Sequence, residues 1–156
     1  MRLPQFKKRY YFRPSYWVVG VSLFVVLTIG FMVSRLVGQG DLRYAIPTIL
    51  LALLFLFLLL RAPIYTEVAE EYIRVQRILG SKTFTNVKQI RRLSRADLDG
   101  TVRTFGNGGF FGYTGYYRCP QLGSFYMMAV NFKELAVIKL ASGKVYVINY
   151  PAEDRM

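Results

Sequence analysis

Two stretches without a single charged side chain constrain this chain more than anything else in it. Ser15 to Ser34 is one and Tyr44 to Leu60 is the other. Roughly 20 apolar residues at 1.5 Å each cross the hydrocarbon of a bilayer. The sequence therefore predicts two transmembrane helices, 16–37 and 44–60, forming a hairpin over 16–61. Gln39-Gly40-Asp41-Leu42-Arg43 is the connecting loop. Arg35, Arg43 and Arg61 fall near the span ends, where a long side chain can reach the interface. Pro47 falls in a first helical turn, where a missing N–H costs little. Gly20 and Gly30 are expected at close helix contacts.

Residues 1–15 form a basic, aromatic arm carrying Arg2, Lys7, Lys8, Arg9 and Arg13 and no acid. Basic and aromatic residues beside an apolar span anchor at the interface, and Lys and Arg bias a segment to the cytoplasm. The arm and Arg61, Arg74 and Arg77 outweigh the loop, so both termini are expected in the cytoplasm and the loop outside. A cleaved signal is disfavoured: the first run is long, no small-residue cleavage site follows it, and a second span comes almost at once. The net charge of +12 could serve nucleic acid or an anionic surface. Beside two apolar spans, anionic lipid headgroups are the expected partner and nucleic acid is not.

From Ile64 onward the pattern changes toward a period of two, so 64–156 is read as a β-rich domain. Strands are expected at 64–68, 72–79, 82–85, 87–93, 124–131, 135–140 and 144–150, with turns at Gly80-Ser81 and Ala141-Ser142-Gly143. Residues 94–123 read as irregular. Only Arg61-Ala62-Pro63 separates the second span from the first strand. With no flexible linker, the domain is expected to rest on the headgroups.

Catalytic and metal chemistry are poorly provided for. There is no histidine and one cysteine, Cys119. That removes Ser-His-Asp and Cys-His constellations and thiol zinc sites. No cofactor or metal is implied. Asp97 and Asp99 read as a solvated turn, and Glu67, Glu70 and Glu71 as a charged hairpin turn. Gly106 to Tyr117 is glycine-rich, but it lacks the Lys-Ser/Thr pair of a P-loop and the spacing of a dinucleotide loop. Two other readings remain for it: a structural loop, or a membrane-contacting loop with Phe110, Phe111, Tyr113, Tyr116 and Tyr117 beside Arg103 and Arg118. Lys88, Arg91, Arg92 and Arg95 read either as a solvated sheet edge or as a contact for headgroups or an acidic partner.

Residues 101–125 resemble a known family. Arg103, Gly106, Gly108, Gly109, Phe111, Gly112 and Gly115, then Leu122-Gly123-Ser124-Phe125 and Ser142-Gly143, are similar to the core of a bacterial PH-domain family. The resemblance extends over 64–150, and many members also carry two N-terminal transmembrane helices. It implies a PH-like fold of two antiparallel sheets, normally closed by a C-terminal helix, and no known catalysis. The family usually continues past Tyr150 into that helix. Here Pro151 to Met156 leave room for one turn at most, so a closing helix is expected to be short or absent. An apolar opening lined by Phe125, Ile138, Val145 and Val147 would then need cover, for which another subunit, identical or foreign, is favoured.

The resulting expectation is a non-enzymatic inner-membrane protein whose PH-like domain is a binding or assembly module at the bilayer surface. A small accessory subunit of a larger membrane complex is the first alternative. An enzyme acting on a lipid or phosphate substrate at the glycine-rich loop is the second.

Overall fold

The computed structural model describes residues 8–40 and 42–151. Strand β1 (Lys8–Tyr11) comes first, then helix α1 (Tyr16–Gln39), a 3-10 turn (Leu42–Tyr44) and helix α2 (Ala45–Leu60). Both helical segments are long and apolar enough to cross a membrane. Helix α1 begins where the extended Ser15 accepts the Val18 N–H on its hydroxyl at 3.3 Å, an N-cap. It ends at Gly40, whose φ of 63° is the left-handed C-cap conformation. A methyl group at Gly20 or Gly30 would meet open space, so among the described residues no close helix contact is made there.

The β domain contains β2 (Pro63–Val68), β3 (Ile73–Arg77), β4 (Ser81–Phe84) and β5 (Val87–Leu93). It continues with β6 (Val102–Gly108), β7 (Tyr113–Cys119), β8 (Gly123–Ala129), β9 (Leu135–Leu140) and β10 (Val145–Asn149). Two sheets result, ordered β1-β2-β3-β4 and β5-β9-β10-β8-β7-β6. One detail departs from antiparallel pairing throughout, since β8 and β10 run parallel. Two strands were hidden in the segment read as irregular. β6 and β7 pair through Gly106↔Gly115, where a Cβ on either glycine would lie within 2.6 Å of the partner backbone. Glycine here permits a close ladder; it does not signal a loop.

Strand β1, part of the arm, was also missed. It pairs antiparallel with β2, Lys8↔Val68 through Tyr11↔Tyr65, across the whole helical hairpin. Glu67 fixes the join. It is 1% exposed, lies 3.3 Å from Arg9 Nε and 3.9 Å from Arg74, and accepts the Tyr72 hydroxyl proton at 3.0 Å. Glu67 is thus a buried, paired carboxylate in a strand rather than a member of a charged turn, because a buried carboxylate needs cations and donors around it.

Each face of the larger sheet carries a buried cluster. Against the smaller sheet, Met128, Ile138 and Ile148 meet Ile73, Val75 and Phe84. On the opposite face, Leu93, Tyr113, Tyr117, Phe125, Met127, Val137 and Val147 form a second cluster that includes Val18 of α1. Strands β5 and β6 are the two edges of this sheet, so residues 94–101 must cross it. They bring Leu98 onto the second cluster and the Asp97 carbonyl to the Cys119 thiol at 3.8 Å. Each side chain so buried contributes about 1.5–3 kcal/mol.

This arrangement corrects the expected opening. Phe125, Ile138 and Val147 are buried within the one chain, and Ile138 faces the other core from Phe125 and Val147; only Val145 is half-exposed. Val18 and the tyrosines of β7 belong to the cluster around Phe125 and Val147, so those residues need no second subunit to cover them. Of the expected short closing helix, residues 152–156 lie outside the described residues.

Candidate functional site

The β6–β7 hairpin tip leans on the two apolar helices. Phe111 and Phe110 stand edge-on to Phe55 of α2, with ring centroids 5.1 and 6.1 Å away. The Phe111 N–H donates to Ser22 Oγ at 3.1 Å, and Ser22 Oγ–H donates to the Val18 carbonyl at 2.7 Å. Ser22 is roughly 9 Å along α1 from Tyr16 at 1.5 Å per residue. At Gly109, φ is 139° and a Cβ would come within 2.9 Å of Trp17 Nε1, so a larger residue in this turn would strain the backbone and push the indole aside.

The tip leaves few backbone donors bare. Gly109 N–H donates to the Gly112 carbonyl at 3.1 Å. Asn107 Oδ1 accepts the Phe110 N–H at 2.9 Å, while Asn107 Nδ2 donates to the Phe110 carbonyl. The Tyr117 hydroxyl donates to the Asn107 carbonyl at 2.9 Å, and burial pushes its pKa up to about 12. Such self-satisfaction suits a turn that lies against apolar surface, where an unpaired N–H is costly.

The start of α1 is held by a second set of bonds. Asn149 Nδ2 donates to Asn131 Oδ1 and the Glu134 carbonyl, each at 3.0 Å, and Asn149 Oδ1 accepts the Val130 N–H at 2.7 Å. Asn131 Nδ2 then donates to the Arg13 carbonyl at 2.9 Å, and the Ser15 N–H donates to the Val130 carbonyl at 3.0 Å. Ser15 Oγ also lies 3.3 Å from the Tyr113 hydroxyl. The bonds from these asparagines to Val130, Glu134 and Arg13 carried no sequence signal, because they join groups distant in the chain.

The five aromatic candidates do not form one loop. Phe110 and Phe111 dock on α2, Tyr113 and Tyr117 are core, and Tyr116 faces away from them. Alternation along β7 separates them, since 113 and 117 share a face and 116 takes the other. The basic candidates separate as well. Arg91 stands opposite Val137 and Arg92 opposite Ala136, so they point to opposite faces of edge strand β5. Arg91 is bound to Asp97 at 2.9 Å. Lys88 and Arg95 are exposed on or next to β5, while Arg103 lies on the other edge strand, β6, and Arg118 on β7 beside it.

A different concave surface was not foreseen. An open groove of about 500 Å³ lies between the smaller sheet and one face of β7, β8 and β10. Its floor is a row of tyrosines: Tyr116 and Tyr126 have ring centroids 4.9 Å apart, and Tyr126 and Tyr146 6.2 Å apart. Arg77, Lys82 and Lys144 line it, and among the described residues no carboxylate does.

A family model described as a bacterial PH domain matches residues 65–151, more than half of the chain. The chain belongs to that family. PH domains are generally non-catalytic modules that bind lipids or proteins. The family match begins inside β2 and ends just after β10, so β1 and both helices lie outside the matched residues. No curated protein and no solved structure matches the chain.

Proposed function

We propose that this chain is a non-enzymatic protein of the bacterial inner membrane. Its two helices form a transmembrane hairpin, and its PH domain is a binding module held rigidly on the cytoplasmic leaflet, against anionic headgroups. The observation that carries this reading is the β1–β2 ladder. It joins the chain before the hairpin to the chain after it, so both flanks lie on one side, as two crossings require. The excess of Lys and Arg in those flanks assigns that side to the cytoplasm. Helix α1 exceeds α2 by its first two turns, and those turns carry the docking contacts of Val18 and Ser22. The remaining lengths of the two helices then match across the hydrocarbon.

Cysteine labelling of intact cells tests the orientation. Cys119 is buried and would report poorly in either orientation. In a Cys119→Ala background, Gln39→Cys should react with a membrane-impermeant reagent added outside, and Ser142→Cys only after lysis. External labelling of Ser142→Cys would overturn the assignment.

A further inference from the structure

We propose that the tyrosine-floored groove holds the phosphate of one anionic phospholipid, drawn from the leaflet at which α2 ends. This rests on the membrane reading above and names the ligand and its site.

Two observations carry it. The first is charge: Arg77 and Lys82 on one wall and Lys144 on the other approach the floor, with no carboxylate of the described residues lining it. Cations gathered without counter-charge repel one another and are relieved by a bound anion, and a guanidinium presents donors in the geometry that phosphate oxygens accept. The second is location. The turn that begins at Arg77 is tied to the end of α2, with Leu79 N–H donating to the Leu60 carbonyl at 2.8 Å and Ile78 N–H to the Ala62 carbonyl at 3.2 Å. Ile78 and Leu79 are exposed there, beside Arg61. The mouth of the groove therefore lies where α2 leaves the apolar layer, within reach of headgroups and not of the cell interior alone.

The tyrosines suit the same ligand. Burial raises the pKa of Tyr126, with Arg61 and Arg77 opposing, so its hydroxyl stays a proton donor. Lys82 Nζ lies 5.6 Å from the Tyr146 ring centroid, which steadies the cation over the floor. Arg118 stands opposite Ser124, a groove residue, and so shares that face of the sheet.

The test uses the full chain in detergent micelles with added phosphatidylglycerol or phosphatidylcholine, and native mass spectrometry to count retained lipid. Wild type should retain phosphatidylglycerol at least tenfold better than phosphatidylcholine. The triple variant Arg77→Gln, Lys82→Gln, Lys144→Gln should lose that preference. Lys88→Gln with Arg91→Gln, on edge strand β5, should change it less than twofold. In ring-labelled protein, phosphatidylglycerol should shift the Tyr126 and Tyr146 signals, a readout that does not depend on the triple variant folding. Millimolar inorganic phosphate should not displace the lipid; displacement would mean that the groove takes free phosphate, and would overturn the lipid assignment. Undiminished preference in the triple variant would overturn the site. Both measurements are independent of orientation, so failure of the cysteine labelling and failure of the groove are separable.

Discussion

The domain meets its helices in two places, and the two are built by opposite means. Where α2 ends, the junction is almost all backbone: Arg61, Ala62, Ile78 and Leu79 N–H groups find carbonyls at 58–62. Ile78 and Leu79 leave their side chains in the open. Where α1 begins, the junction is almost all side chain, through Asn131, Asn149, Ser15, Tyr113, Ser22 and the glycines of the β6–β7 tip. Chain connectivity explains the contrast. Helix α2 runs straight into β2, so proximity comes without specificity. Helix α1 meets partners about a hundred residues away, and loop closure over that length must be offset by specific contacts. Buried polar bonds provide specificity because any other arrangement leaves groups unpaired.

That contrast can be broken most severely at Asn149. Asn149→Ala strands the buried Val130 N–H and removes one bond each from the Glu134 carbonyl, which keeps the Tyr150 N–H, and from Asn131, which keeps the Arg13 carbonyl. A loss of about 2–3 kcal/mol is expected, the upper part of the roughly 1–3 kcal/mol for a buried polar group left unpaired, because two further bonds go with it. A thermal melt in detergent should show it, and a shift too small to resolve would mean that water replaces the amide.

Gly109→Ala acts on the same junction from the other side. It places a methyl against the Trp17 indole and strains a φ of 139°, so about 1–3 kcal/mol of overpacking is expected. Trp17 is the only tryptophan, so its emission reports the docking directly. An unchanged emission maximum would show that the tip does not rest on α1. At the α2 junction, Leu79→Ser should change stability by less than about 0.5 kcal/mol, because the exposed side chain supports nothing there. A larger loss would erase the distinction between the two junctions.

The smallest effect sharpens the comparison away from both junctions, at the crossing segment. The Ser94 N–H and hydroxyl and the Arg91 guanidinium hold the Asp97 carboxyl down from 3.8 to about 2. A carboxyl with a lowered folded pKa contributes stability above its unfolded value and loses it on acidification. The contribution should be intact above about pH 5 and fade as pH falls from about 4 toward 2. An NMR titration should find the Asp97 midpoint near 2 and see it rise in Arg91→Gln. An ordinary midpoint in the wild type would dismiss the clasp.

The candidate site was legible only in part. Phe110 and Phe111 stood out because two aromatics between glycines are conspicuous, and they do contact the apolar helices. Lys88 to Arg95 stood out because charge density is visible along a chain, yet strand alternation sends Arg91 and Arg92 to opposite faces. Arg77, Lys82 and Lys144 made no pattern, for they come from β3, β4 and the turn before β10. A cationic groove assembled from three separated elements leaves no local trace.

By itself the sequence determined what depends on neighbours in the chain. Charge-free runs of 17 residues or more make apolar helices, period-two alternation makes strands, and the glycine-aromatic core marks the bacterial PH domain. Tertiary structure alone decided what depends on residues far apart. It recruited β1 across the hairpin, turned Glu67 from a surface acid into a buried ion pair, and set the tyrosines of β7, β8 and β10 in one row. The physical reason is that hydrophobic periodicity is a property of one segment. Burial, ion pairing and concavity arise only where several segments meet, and the same residue is solvent-exposed or paired according to which neighbours arrive.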